Sequence, residues 1–519
     1  MYKPVVLIIL DGWGLSENLR GNAILEAKLP TIDKLNTFYP QVALQACGIS
    51  VGLPWGEPGN SEVGHITLGT GKVIYQNMPR ITMSIQSGEF FQNPSLLKAI
   101  ENAKKNNSAL HLMGLLGKGG IHSNIDHLYA LVELAKNNGV EKLFVHVFTD
   151  GRDSSPTSGI ESVKELEKKL EEYGIGRIAS ISGRYLAMDR NNNWDRTQKA
   201  YEAIVDGKGE PIASAADYLQ KSYAKEIFDE YIEPAVICDS GNPVGKISDG
   251  DSVIFFNFRE DRARQLTKAF VLPGFSKFKR EQLKNLTFVT MVQYEEDLPA
   301  EVAYEPIEIK NCLGEILSQK NISQLRIAET EKFAHVTYFF NGGNEEPFPK
   351  EDRIIVPSKA VSIFSEAPEM SAREITKKVC EAVEMNKYDF MLVNFANADI
   401  VGHTGDEKAT ISAVEVIDEC LSKLIPTVIS HGGCLLITAD HGNAEELVNT
   451  RNGETDTEHS INPVPFWFVT AENHCDAAGK CFTMRVAGLL SDVAPTVLDL
   501  IGINKPTDMT GESLLPMLK

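Results

Sequence analysis

An α/β protein of two domains, each a mostly parallel sheet flanked by helices, is what this sequence predicts. Three observations point that way. Apolar runs of strand length recur along the chain and alternate with stretches of helical period, the pattern of strand–helix units in parallel sheets. At 519 residues the chain exceeds one ordinary core, and its 43% apolar content is ample for two. The turns after the strands change character along the chain. Near both ends they carry Asp and His, while in the middle they are rich in arginine.

The elements follow in order. Residues 4–10 form a buried strand that delivers Asp11 at its end, and polar sequence of helical period runs on to about residue 40. A glycine- and proline-rich loop, 48–72, contains Asn60-Ser61-Glu62, which reads as a helix start. There a serine is either a cap or a hydroxyl held on the positive end of a helix, where backbone N–H groups receive phosphate. From 78 to 309 four apolar runs (109–116, 143–150, 178–183 and 252–258) each lead into a turn bearing arginine or histidine. GIESVKELEKKLEEYG (159–174) is a helix between two of them. This block has its own strands and polar edge, so 78–309 is expected to be one domain and 1–77 with 310–519 the other. Beyond 310 the first character returns. Lys332 and His335 lie around a strand or short helix, and 388–406 is an apolar run ending in Asp399 and then His403. The strand 434–438 ends in Asp440-His441, and His459 stands just ahead of another apolar strand. Residues 491–503 form a closing helix with Pro495 in its first turn.

Composition excludes several function classes. With 51 basic against 71 acidic side chains the net charge is −20, which argues against a nucleic-acid or anionic-membrane surface. A small anionic substrate remains compatible, because a local arginine cluster reverses the potential inside one cleft. The eight cysteines show no Cys-x-x-Cys pair and read as buried thiols in a reducing compartment. No run of about 18 apolar residues occurs, and 5–10 is too short for a signal segment, so a soluble cytoplasmic protein is expected.

Three carboxylates (Asp11, Asp399, Asp440) and three imidazoles (His403, His441, His459) lie at or near strand ends, where open α/β sheets place their chemistry. Six mixed N/O ligands with a serine exceed what one catalytic metal needs, and they suit a pair of cations clamping a phosphoryl group. The imidazoles argue against a purely Mg²⁺ or Ca²⁺ site and the absence of thiolates against structural zinc, leaving Mn²⁺ or Zn²⁺. A cation-bound Ser61 hydroxyl would lose its proton readily and attack phosphorus. In the middle block Arg152, Arg184, Arg190, Arg259 and Arg262 sit just past strand ends with His122 and Asp153. Guanidinium forks take carboxylate and phosphate bidentately, and Asp153 beside Arg152 is a candidate proton carrier.

The motifs GNSEVGH (59–65), DGRD (150–153), GRYLAMDRNNNWDR (183–196), FNFREDRARQL (256–266), ETEKFAHVTYFFNGG (329–343), ADIVGHTGD (398–406), TADHGNAE (438–445) and EHSINPVP (458–465) stand in one chain. With them the sequence resembles the cofactor-independent (2,3-bisphosphoglycerate-independent) phosphoglycerate mutase family of the alkaline phosphatase superfamily, over nearly its whole length. The resemblance implies an alkaline-phosphatase-like domain with an inserted α/β transferase domain. It implies that Asp399, His403 and His459 hold one Mn²⁺, and that Asp11, Ser61, Asp440 and His441 hold a second, with Zn²⁺ or Co²⁺ as substitutes. Ser61 would be the phosphorylated nucleophile. Substrate contacts would come from His122, Arg152, Asp153, Arg184, Arg190, Arg259, Arg262 and Lys332, with Ser61, Asp153 and Lys332 as the catalytic groups. The implied activity is interconversion of 3- and 2-phosphoglycerate with no need for 2,3-bisphosphoglycerate. No nucleic acid or membrane partner is expected, and the large insert between two halves points to a monomer.

Overall fold

A computed structural model gives the structure and describes residues 2–450, 452–474 and 485–518. The chain divides into two compact units, one made of 1–76 with 308–519 and the other of 77–307.

The first unit is organised on Val5–Leu10, a strand buried at every position. Side chains alternate between the two faces of a strand, so VVLIIL requires apolar cover on both, which is how a central parallel strand reads. It lies between Phe390–Phe395 and Cys434–Thr438, parallel to each. Among the described residues the sheet has eight strands. In space they run Glu351–Val356, Gln324–Glu329, Phe390–Phe395, Val5–Leu10, Cys434–Thr438, Val464–Val469, Gln41–Gln45, Val486–Leu489. Val464–Val469 is antiparallel to both neighbours. The loop before it therefore emerges at the same edge as the carboxyl ends of the central parallel strands, and that loop carries His459. Its partner Gln41–Gln45 was not legible as a strand, because QVALQ is short and polar at both ends.

The second unit has a sheet ordered Glu301–Tyr304, Thr287–Val292, Ser252–Phe255, Leu110–Leu116, Leu143–Thr149, Arg177–Gly183, Ala235–Asp239, Glu210–Ile212, with Asn242–Pro243 pairing off this path. All pairings along it are parallel except Arg177–Gly183 with Ala235–Asp239. Its buried strands hold histidines that are satisfied in line. His111 lies 3.3 Å from Asp251 and 3.0 Å from His146, which reaches Ser180 at 2.8 Å. The run 252–258 is strand only to Phe255, since Asn257 turns inward to accept from the Leu115 N–H at 2.9 Å. The helix 159–174 spans Gly159–Tyr173, and the closing helix is Val493–Ile501 with Pro495 in its first turn.

Six cysteines are free; Cys47, Cys312, Cys420 and Cys434 are buried, but Cys238 and Cys380 are only half-buried, against the expectation of buried thiols throughout. Cys475 and Cys481 lie outside the described residues. No helix among the described residues is long and apolar enough to cross a membrane.

Candidate functional site

The carboxyl edge of the first sheet gathers its polar side chains from separate elements. Val5–Leu10 delivers Asp11, and Gly12 follows with φ +75°; a Cβ there would lie 2.7 Å from the Asp399 Cα, so only glycine permits the approach. Asp399 comes from the short helix Asn397–Gly402 after the strand Phe390–Phe395, with His403 four residues on. Cys434–Thr438 delivers Asp440 and His441. Ser61 is the first residue of the helix Ser61–Thr70, and Asn60 rather than the serine is its cap, accepting from the Val63 N–H at 3.1 Å. The Ser61 hydroxyl is thus free of capping duty. Its Oγ lies 2.7 Å from Lys332 Nζ, 2.9 Å from His441 Nε2 and 3.2 Å from Asp11 Oδ1. Lys332 ends a 3₁₀ turn, Thr330–Lys332, just ahead of a π-helical turn, His335–Phe339, of the sort that often marks functional sites. Its three donors go to Ser61, to Asp11 Oδ1 at 2.7 Å and to Asp399 Oδ2 at 2.6 Å.

Burial would lower the Lys332 pKa, but Asp11 and Asp399 overcome it and hold the ammonium charged well above its ordinary range. Burial would likewise raise Asp11 and Asp399, and Lys332 with the neighbouring histidines pulls both below the usual carboxylate range. For His441 burial opposes the proton while Asp440, Asp11 and Asp399 favour it, and the imidazole is pushed up to about 9.

The donors fit divalent cations. His403 Nδ1 lies 2.7 Å from the Thr457 carbonyl and His459 Nδ1 2.8 Å from the Gly59 carbonyl. Carbonyls only accept, so each Nδ1 carries the hydrogen and each Nε2 presents its lone pair. Those two Nε2 atoms face each other at 3.0 Å, with Asp399 Oδ1 at 3.3 and 3.1 Å. Two neutral imidazoles repel in that pose, so the trio needs an extra proton or a metal ion, and the hydrogen bond to Asp399 does raise the His403 pKa. Asp440 is also fully buried, and among the described residues its Oδ2 accepts no well-aligned hydrogen bond although His65 Nδ1 lies 3.1 Å away, which leaves a buried anion that a cation would satisfy. Asp399, His403 and His459 form one group with ligand atoms within 4.8 Å of each other, and Asp11, Asp399 and His441 form another.

In the second unit the sequence-predicted residues meet at the ends of Leu143–Thr149, Arg177–Gly183 and Ser252–Phe255. Arg184 is 2% exposed and reaches Asp150 Oδ1 and Asp153 Oδ2, each at 2.5 Å. The pair of carboxylates outweighs burial and raises the guanidinium pKa further. His122 is buried 3.8 Å from Asp153 and 3.7 Å from Asp261; burial and then Arg184 push its pKa down to about 4, keeping it neutral. Asp261 also takes Arg190 at 2.7 Å and Arg259 at 3.3 Å. Arg262 donates to the Met188 carbonyl at 3.2 Å. Arg152 stands apart from these ion pairs, more than half exposed, and among the described residues its carboxylate partner is Glu230 at 3.7 Å. Replacing Arg184 by Met leaves Asp150 buried without its charge partner, so urea melts are expected to show a loss of about 3–5 kcal/mol. A loss under about 1 kcal/mol would show that the pair carries little of this edge.

Sequence reasoning missed the residues that hold the others still. Glu445 is buried and accepts from the Gly14 and Asn443 N–H groups at 2.9 Å each, from Asn462 Nδ2 at 3.0 Å and from the Ser460 hydroxyl. It ties the motifs 438–445 and 458–465 to the turn after Val5–Leu10. Asn394, His65, Asp150 and Asp261 were missed as well. The available signal for Asn394 was a polar residue inside an otherwise apolar strand.

Fold and site define a class: a two-unit α/β enzyme with buried carboxylates and imidazoles closed around a serine hydroxyl in one unit and an arginine-lined edge in the other. A family model described as the BPG-independent PGAM N-terminus matches residues 81–296. The 2,3-bisphosphoglycerate-independent phosphoglycerate mutase of Clostridium perfringens is 51% identical over 99% of both chains, and that of Lachnoclostridium phytofermentans is 50% identical with the same coverage. Among solved structures, Leishmania mexicana phosphoglycerate mutase at low cobalt concentration aligns with TM-score 0.55 and 32% identity over 99% of this chain and 97% of its own. The chain belongs to the 2,3-bisphosphoglycerate-independent phosphoglycerate mutase family and is an isomerase.

Proposed function

We propose that the chain interconverts 3-phosphoglycerate and 2-phosphoglycerate, in glycolysis and gluconeogenesis, through a phosphoserine formed on Ser61 and without 2,3-bisphosphoglycerate. The observation that carries this reading is the Ser61 hydroxyl, uncommitted to its helix and in contact with Lys332, His441 and Asp11. Asp399, His403 and His459 would hold one Mn²⁺ and Asp11, Ser61, Asp440 and His441 another, with Zn²⁺ or Co²⁺ as substitutes. When bound, the ions would acidify the serine hydroxyl and offset charge on the phosphoryl oxygens.

The chain's own residues do the rest. Ser61 Oγ forms a bond to phosphorus as the bond to the C3 oxygen breaks, and Lys332 stabilises the phosphoryl charge. Arg259 and Arg262 keep the glycerate carboxylate, aided by His122, Arg152, Arg184 and Arg190. The retained glycerate turns, Asp153 carries the proton between its two oxygens, and the phosphoryl group leaves Ser61 for the C2 oxygen. In this reading 1–76 with 308–519 is the phosphatase-like, metal-binding unit and 77–307 the transferase unit. The enzyme works as a cytoplasmic monomer on small molecules, with no nucleic-acid or membrane partner, in keeping with its free cysteines.

Isomerisation assayed with Mn²⁺ and no 2,3-bisphosphoglycerate tests the proposal. Full turnover is expected, with little phosphate release and a Ser61 peptide heavier by one phosphoryl group after quenching with substrate. Phosphate release in place of isomerisation, or a strict requirement for the bisphosphate, would overturn it.

A further inference from the structure

His65 has no part in the chemistry above, yet it is fully buried one helical turn beyond Ser61. Its Nδ1 lies 2.9 Å from the Ser61 carbonyl oxygen and 3.1 Å from Asp440 Oδ2, and its Nε2 is 3.1 Å from Asn394 Nδ2. Asn394, also fully buried, sits in the strand Phe390–Phe395 and donates from Nδ2 to Asp11 Oδ2 at 2.8 Å. A carboxylate accepts only, so that bond fixes which end of the amide faces Asp11. The second hydrogen of the same NH₂ group then points at His65 Nε2, which must be an acceptor. The ring proton therefore sits on Nδ1 and goes to the Ser61 carbonyl.

This tautomer has a consequence for metal binding. Asp11, His65 and Asp440 bring ligand atoms within 4.8 Å of one another, the geometry of a ligand trio. Both ring nitrogens of His65 are already committed, however, so it offers a cation no lone pair. What the ring and the amide do together is connect three elements: the first turn of the helix carrying Ser61, the strand end carrying Asp11 and the turn carrying Asp440. The helix comes close enough there that a Cβ on Gly64 would lie 2.8 Å from the Asp440 Cβ.

We infer that His65 and Asn394 act as one positioning unit, holding Ser61 in register with the Asp11 and Asp440 carboxylates. The inference rests on the reading of Ser61 as nucleophile beside a cation site. Groups that orient ligands in this way commonly change metal affinity or activity by about 10–100-fold when removed.

The test uses the full-length protein with Mn²⁺ as the probe, comparing Asn394→Leu, which removes both N–H bonds at similar volume, with His65→Asn. The asparagine amide can still reach the Ser61 carbonyl but offers nothing to Asn394. Each variant is expected to lower kcat about 10–100-fold, to leave KM for 3-phosphoglycerate within about twofold, and to bind Mn²⁺ at wild-type stoichiometry with about 10–100-fold weaker affinity. The double variant is expected to be no worse than the worse single one, because the two residues form one unit. Unchanged kcat and Mn²⁺ affinity with only a lower melting temperature would make them packing residues and overturn the inference. Loss of one Mn²⁺ equivalent in His65→Asn would make His65 a ligand, and losses that multiply in the double variant would make the roles independent; either defeats it. If His65→Asn does not fold, the kcat and affinity of Asn394→Leu decide. A wild-type protein that binds no Mn²⁺ or forms no phosphoserine would bring down the underlying reading, and the inference with it.

Discussion

Replacing Ser61 by Ala is expected to abolish mutase turnover, by roughly four orders of magnitude or more, and to remove the phosphorylated peptide altogether. The substitution deletes the one atom on which Lys332, His441 and Asp11 converge. It should do so without unfolding the helix, because Asn60 supplies the cap and alanine is a good first-turn residue. Asn60→Ala makes the useful contrast: it is expected to cost about 0.5–2 kcal/mol of stability. Intact-mass spectrometry after substrate quench, with a thermal melt of each variant, separates the two effects. Turnover within tenfold of wild type in Ser61→Ala would exclude this nucleophile.

Exhaustive chelation is expected to have a comparable effect, with activity lost and then recovered best by Mn²⁺. Asp11, Asp399 and Asp440 are all but completely buried together, and Lys332 is the lysine that the described residues place among them. Even with His441 holding its proton, two positive charges do not balance three carboxylates, and the facing Nε2 atoms of His403 and His459 need a cation or an added proton. The same ions should therefore stabilise the fold. At a free concentration of 100 times its Kd, an ion binding only the native state adds about 2.7 kcal/mol. Calorimetric melts with and without chelator measure this, and a chelated sample that keeps both its activity and its melting temperature would sink the two-cation reading.

The sequence made the strand ends legible because two signals coincide there. VVLIIL and CLLIT are too apolar for anything but buried strands, and the side chains right after them are ones that a core does not tolerate without partners. Asp11, Asp399, His403, Asp440 and His441 could be singled out on that basis, Ser61 as a helix start and His459 ahead of a strand, whereas the role of Lys332 came from the family resemblance; the structure brings all eight into one cluster. The supports around them were harder to see. Glu445, His65 and Asn394 act through contacts with residues distant in sequence, and a buried glutamate looks like a surface one until its four donors are known. Asp261 was hidden for another reason: among arginines an aspartate reads as an incidental ion pair, although it gathers Arg190 and Arg259 beside His122. The strand Gln41–Gln45 was missed because its place is decided by its neighbours and not by its own residues.

The position of Val5–Leu10 between Phe390–Phe395 and Cys434–Thr438 sets a timetable for biosynthesis. This strand leaves the ribosome ahead of both of its sheet neighbours, which are encoded some 380 or more residues downstream. At about 5–20 residues per second, roughly 20–80 s pass before the nearer one is made. Throughout that interval a fully apolar hexapeptide is left without cover on a growing polypeptide, while the segment 77–307 can already close on its own core. Shortening that wait by circular permutation, so that Val5–Leu10 is made next to its sheet neighbours, is expected to raise the folding yield.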